Sequence, residues 1–332
     1  MNVFFYARLL PSIFSILLLG NFAVAEDYHK RDDVQAYIDQ MVEMHAFDRA
    51  TLEQKFKDVV KQEQAITAMD RPAEAKPWPQ YKEIFITPLR ISGGVLFWKQ
   101  YQDFLEKAEA EFGVPASLIV AIIGVETFYG RNTGSFPVFS TLVTLGFDYP
   151  RRADFFKREL TEFLLLCRQE RALQCDELEG SYAGAMGTGQ FISSSYRNYA
   201  VDFDNDGIRD LWNSQADAIG SVANYIKKHG WMSQKPVGVY VEIEDGNYEL
   251  LLDKKFKPWL SVADLQERNI RLQNFEPQEP VFSLFKFENE SASLAPKVWV
   301  GYNNFYVITR YNHSHRYAMA VHQLSGLIKQ RY

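Results

Sequence analysis

A chain of 332 residues is long enough for two or three units around one main core. Apolar types make up 47% and charged types 23%, the balance of a folded globular protein, and a formal charge of −6 offers no basic field for nucleic acid. The 2 cysteines exclude a disulfide-dense scaffold and any cysteine-rich metal site, while the 18 Tyr and 25 Phe suit a large core or a sugar-stacking groove, with the core as the default use.

Residues 1–25 read as a secretory signal peptide. Arg8 supplies the positive charge, Leu9 to Gly20 are mostly apolar, and Ala23-Val24-Ala25 offers small residues for cleavage before Glu26. The run is short for a membrane span, and no later stretch reaches the 18 or so apolar residues a span requires. No cysteine follows it, so the mature chain is expected to be exported, periplasmic and soluble, and not a lipoprotein; a retained N-terminal anchor is the competing reading.

From Asp32 to Asp70 apolar residues recur at three-four spacing and predict helix. Arg71-Pro72 through Pro77-Trp78-Pro79 reads as an extended connector. Ser92-Gly93-Gly94 is expected to precede an amphipathic helix that buries Val95, Phe97, Trp98, Tyr101, Phe104 and Leu105 and ends at Gly113-Val114-Pro115. Further helices are expected over 117–130, 153–173 and 216–229. After Pro236 the texture alternates: 237–244 reads as a strand, Asp245-Gly246-Asn247 as a turn and 248–252 as a returning strand. Strands are also expected at 281–287 and 297–300, and a last helix at 317–329. Cys167 lies on an apolar helix face and Cys175 just past its end; a local bridge and two free thiols both fit that spacing.

The segment 117–130 is apolar on almost every face except for Glu126 near its C-terminal end. Burial and the negative end of the helix dipole both disfavour a charged carboxylate, which suits a general acid. The alternative is an ordinary helix-end glutamate that reaches solvent or pairs with Arg131. Four glycines in Gly180 to Gln190 let backbone approach a ligand or a neighbouring helix closely, without the sequence of a phosphate loop. Asp202, Asp204 and Asp206 with Gly207 match the first half of a calcium loop, which departs from the usual pattern at Arg209 and Asn213; Asp217 is placed to close a longer loop, and a solvated acidic turn is the alternative. Tyr302 to Tyr317 is dense in aromatic and amide side chains, which suits a sugar groove or a polar loop leading into the final helix.

Gly124-Val-Glu-Thr, Asp148-Tyr-Pro-Arg-Arg152, Gly184-Ala-Met-Gly-Thr-Gly-Gln-Phe191, Gly220-Ser-Val-Ala-Asn-Tyr225 and Thr309-Arg-Tyr-Asn-His-Ser314 together resemble the membrane-bound lytic murein transglycosylase B family. The resemblance spans nearly all of the mature chain. It implies an α+β, mainly α fold: a helical domain and lysozyme-like core over 26–235 with a calcium loop at 202–217, a small β domain at 236–300, and a return to the core at 301–332. It implies cleavage of peptidoglycan glycan strands between muramic acid and glucosamine residues, with Glu126 as the single catalytic acid and base. It also implies that Ser181, Gln190, Tyr225, Tyr311, Asn312, Tyr317, Tyr81, Arg151 and Arg152 line the groove. Asp202, Asp204, Asp206, the Ile208 carbonyl and Asp217 would hold a structural Ca2+, and wall-synthesis enzymes are candidate partners. A hydrolytic muramidase, a non-catalytic peptidoglycan-binding protein and a calcium-responsive regulator are the competing functions.

Overall fold

The computed structural model describes residues 27–70, 76–252, 256–273, 275–291 and 293–332. The signal-peptide expectation for 1–25 and the Arg71-Pro72 break lie outside them. The helical expectation for 32–70 resolves into α1 (Asp32–His45), α2 (Arg49–Lys57) and α3 (Glu63–Met69). Asp48 caps α2 by accepting the Thr51 N–H at 2.8 Å.

Two expectations fail next, each for a local reason. Trp78 and Pro79 open a helix, α4 (Trp78–Phe85), and are not part of an extended connector, because proline in a first turn sacrifices no helical hydrogen bond. Gly93 and Gly94 lie inside α5 (Pro88–Gln100), which starts at the Thr87 cap, and do not precede it. A long-range contact explains them: a Cβ on Gly94 would sit 2.7 Å from the Tyr129 hydroxyl and 2.5 Å from Ile328. After α6 (Gln102–Phe112) comes α7 (Ala116–Thr127), in which every residue except Glu126 is buried. It is enclosed by α5, α6, α11 (Gln215–Lys228) and α14 (His315–Arg331), which explains its lack of a polar face.

A two-stranded ribbon, β1 (Phe136–Pro137) with β2 (Glu179–Gly180), brackets α8 (Val138–Asp148) and α9 (Ala153–Gln169), and α10 (Ser193–Tyr199) follows it. Cys167 and Cys175 form a disulfide, Cα atoms 5.8 Å apart, which closes the first turn of chain beyond α9.

The second sheet is antiparallel in the order β4 (Arg271–Gln273), β3 (Gly238–Asp245), β6 (Lys297–Gly301), β5 (Ser283–Phe287). Residues 248–252 do not form its returning strand: Glu249–Leu251 are a single 3-10 turn, and β3 pairs with β6 and β4. The sheet is covered on both faces at β5 and β6, whereas Tyr240, Glu242 and Glu244 of β3 are exposed. Val241, Leu284, Val298 and Val300 pack with Leu260, Leu265 and Phe282 in a small second core that includes α12 (Val262–Glu267). Phe285, Phe287 and Trp299 face the helices, against His315 and His322 of α14. Burial pushes both histidines down to about 4. Glu288, just after β5, accepts from the Trp78 N–H at 3.0 Å and from Arg316 at 2.8 Å, so the sheet is tied to α4 and α14 beside Tyr317. The segment after β6 is helical, α13 (Asn303–Tyr311), where the sequence left loop or groove open. No single described helix is long and apolar enough to cross a membrane.

Candidate active site

Glu126 is the penultimate residue of α7, and the chain beyond it is unusually constrained. Phe128 and Tyr129 are both left-handed (φ 53° and 64°), and their N–H groups donate back to the Gly124 and Ile123 carbonyls. The Tyr129 ring fills the slot left by Gly94 and Gly124, where a Cβ would come within 2.7 Å and 2.6 Å of its hydroxyl. That hydroxyl donates to the Arg90 carbonyl at 2.6 Å. Thr127 Oγ1 donates to the Thr188 carbonyl at 2.8 Å and accepts from the Gly130 N–H at 2.9 Å. The helix end is thereby fastened to α5 on one side and to the glycine-rich loop on the other.

Half-buried, Glu126 accepts a hydrogen bond from the Tyr317 hydroxyl at 2.5 Å, on Oε1. Tyr317 is set by Ser314, whose side chain caps α14 by accepting the Tyr317 N–H at 3.2 Å. The Tyr311 ring lies parallel to that of Tyr317, centroids 6.4 Å apart, and its hydroxyl donates to the Gly189 carbonyl at 2.6 Å. Tyr225 of α11 is 4.8 Å from Tyr311, ring to ring, and donates to the Arg310 carbonyl at 2.5 Å. Burial first, and the Glu126 charge after it, push the Tyr311 and Tyr317 hydroxyls well above the ordinary phenol range, so both act as donors. Burial raises the Tyr225 hydroxyl too, and the Glu126 charge adds a smaller push in the same direction. Tyr81, fully buried beside Phe85, also bears on Tyr317.

The glycine-rich loop is shaped from within. Ser181 Oγ accepts from the Ala183 and Ala185 N–H groups at 3.3 and 3.1 Å, which folds a tight turn. Gly187, left-handed at φ 67°, lies so near the Leu211 carbonyl that a Cβ would approach it to 2.5 Å. Gln190 is also left-handed, and its Nε2 donates to the Thr133 and Gly187 carbonyls at 2.9 and 3.0 Å. Both amide donors are therefore spent on backbone, and the carbonyl is the end that suits a ligand. Gln190, Tyr225, Tyr311, Asn312 and Arg152 line one cleft of about 570 Å³, together with Arg310 and His313. Arg152 lies over the Phe155 ring there, whereas Arg151 turns away to pair with Asp70 at 3.1 Å.

The acidic loop is a second, separate site. Asp202, Asp204 and Asp217 each place a carboxylate oxygen within 4.8 Å of the others. Asp217 is buried and accepts the Phe203 and Asp210 N–H groups at 2.6 and 2.8 Å. Burial pushes its carboxyl up, and these amides pull against that. Asp202 accepts from the Asp206 and Gly207 N–H groups. The Asp206 carboxyl lies outside the trio and caps the Ile208 N–H at 2.8 Å. Three hard oxygens on a loop already folded around them fit a Ca2+-sized cation.

The transglycosylase SLT domain model matches residues 29–326, nearly the whole chain. The chain belongs to that family. It is similar to the membrane-bound lytic murein transglycosylase B of Escherichia coli K12, 41% identical over 319 residues, covering 91% of this chain and 84% of that protein. It also resembles the soluble lytic transglycosylase SltB1 of Pseudomonas aeruginosa (TM-score 0.83, 47% identity, 90% of this chain and 99% of that one). A third relative is the Escherichia coli lytic transglycosylase Slt35 solved in complex with calcium (TM-score 0.82, 40% identity, 92% and 96%). The mostly helical, lysozyme-like fold expected from the sequence is the fold of this family.

Within the family fold, Glu126, Tyr225, Tyr311 and Tyr317 come together although they are scattered over four helices. Ser181 and Gln190 stand on the adjoining loop, and Arg151 stands apart. Residues to which the sequence assigned no role hold the site in shape: Thr127, Thr188 and Ser314, each inside a motif quoted above, and Tyr129, which is in none. Of these, Ser314 is the one with a local signal that could have marked its role, as a serine just ahead of a helix.

Proposed function

We propose that this enzyme is a peptidoglycan lytic transglycosylase that cuts the bond between muramic acid and glucosamine residues without adding water. The reading rests above all on the setting of Glu126, a half-buried carboxyl at the end of a buried helix that accepts the Tyr317 hydroxyl beside the Tyr311 and Tyr225 rings. Glycosidases that use water or an enzyme nucleophile ordinarily need two carboxylates, one for the leaving oxygen and one for the attacking group. A single glutamate suffices when the sugar supplies its own nucleophile. Glu126 gives its proton to the glycosidic oxygen as the bond breaks. As a carboxylate it then accepts the proton of the muramic acid C6 hydroxyl, whose oxygen closes onto C1. The 2-acetamido group stabilises the cation between these steps, and the product ends in a 1,6-anhydro ring. The Tyr317 O–H holds one carboxyl oxygen still and suits the carboxylate half of the cycle.

Gln190, Asn312 and the tyrosine faces would bind the glycan in the cleft beside Glu126, with Ser181 shaping the loop and Tyr81 backing Tyr317. Asp202, Asp204 and Asp217 would hold a structural Ca2+, with the Ile208 carbonyl and Asp206 as further ligands if the loop tightens. When bound, the ion supplies positive charge that lets three crowded carboxylates stay ionised. The working place would be the periplasm, reached through the signal peptide.

The test is mass spectrometry of fragments released from purified peptidoglycan by residues 26–332. Fragments one water lighter than reducing-end muropeptides are expected. Full-weight reducing ends would make the enzyme a hydrolytic muramidase, and no release at all would leave a binding protein.

A further inference from the structure

Arg131 is the cation that the sequence offers to Glu126, yet its guanidinium lies over the Phe128 ring, 5.1 Å from the centroid, exposed and without a carboxylate partner among the described residues. A second guanidinium, Arg90, lies 5.0 Å from the same ring and 5.2 Å from that of Phe85. Arg90 is pinned, because its Nη1 donates to the Ile84 carbonyl at 2.6 Å. Arg131 carries no such tether and can swing. Phe128 itself is held left-handed, a conformation uncommon for an aromatic residue and one that recurs where a ligand is gripped. The rings lead back to the acid: Phe85 is 5.0 Å from Tyr81, and Tyr81 bears on Tyr317, which holds Glu126. Thus a chain of net charge −6 presents, two residues beyond Glu126, an aromatic ring flanked by two arginines, neither of them in an ion pair among the described residues.

We propose that Phe128 and Arg131 form a recognition rim for a carboxylate carried by the substrate: the ring packs against the apolar face of a sugar, and Arg131 swings to the anion. This rests on the glycan-cleaving role proposed for Glu126. A muramic acid residue offers such an anion in two forms, the lactyl carboxylate of a bare strand and the carboxylates of an attached peptide. Arg131 is then a specificity-determining residue and takes no part in proton transfer.

The test uses the Glu126→Gln protein, so that ligands are bound and not cut, with and without Arg131→Gln. Dissociation constants are measured by calorimetry for a glucosamine–muramic acid disaccharide pentapeptide, for the peptide-free disaccharide dimer, and for chitotetraose, which has no carboxylate. Removing Arg131 is expected to weaken binding about tenfold for the anionic ligands, to leave chitotetraose unchanged, and to be largely rescued by Arg131→Lys. A loss on the pentapeptide alone assigns the anion to the peptide, and a loss on both assigns it to the lactyl group. Equal losses on all three ligands, or none on any, would overturn the rim. Because this is a binding measurement, failure of the cleavage reaction would show separately, as wild-type protein that releases no anhydro-ended fragments.

Discussion

Glu126 stands among Tyr225, Tyr311 and Tyr317 and receives one phenolic O–H, whereas Asp202, Asp204 and Asp217 crowd three oxygens within 4.8 Å among backbone N–H groups. In the reaction proposed for it, the first arrangement would let one carboxyl gain and lose a proton in each cycle. In the second, mutual repulsion is offset only partly by amide dipoles, so the loop gains from a divalent cation. Both regions are acidic sites in a chain that is acidic overall. On the proposed reading, number and surroundings, more than residue type, would separate a proton shuttle from an ion cradle.

The sharpest way to break this distinction is Glu126→Gln. Cleavage of peptidoglycan should fall roughly 10³-fold or more, as expected for a lost general acid, with the melting temperature nearly unchanged. Residual activity close to wild type would remove Glu126 from the chemistry. A second experiment separates both carboxylate regions from a third set of titrating groups. His315 and His322 sit folded at about 4 against an ordinary 6.5, so the unfolded chain takes up their protons first as pH falls. Their stability contribution is full above about pH 6.5 and is lost towards pH 4, at most about 3 kcal/mol apiece. Urea unfolding across that range should show the loss in the Glu126→Gln protein as well.

The ion cradle is addressed by calorimetry in chelator and then in calcium. At a hundredfold excess over Kd the folded state should gain about 2.7 kcal/mol, and Asp217→Asn should abolish the gain without touching the chemistry at Glu126. No shift in the wild-type protein would reduce the loop to a solvated turn. The smallest effect concerns the hydroxyl on Glu126. Tyr317→Phe should lower kcat about tenfold, the cost of one hydrogen bond to a charged group, while leaving the calcium response intact.

What the sequence disclosed follows the range of the interactions involved. The all-apolar α7 with its one acid, the acidic loop and the turn at Gly246 are local patterns, and they stand where the residues place them. Gly93-Gly94 reads as a helix boundary because glycine is a poor helix former; its actual use, room for Tyr129, depends on a residue more than thirty positions away. The stretch 248–252 has a strand-like composition, but β3 already has both neighbours in β4 and β6. The amides of 303–312 disguised α13, whose buried face shows only once Phe305, Val307 and Ile308 meet the core. Within the site, the sequence does not show that backbone carbonyls take both amide donors of Gln190, because Thr133 lies 57 residues away.

The bond between Tyr317 and Glu126 spans 191 residues of chain. During synthesis the acid leaves the ribosome long before its partner, and α14 must still lay itself across α7 to complete the constellation. A copy broken off between residues 127 and 316 therefore carries Glu126 without the hydroxyl that clamps it. For an enzyme whose substrate encloses the cell, completing the proposed site with a helix made so long after the acid would leave a half-finished molecule blunt.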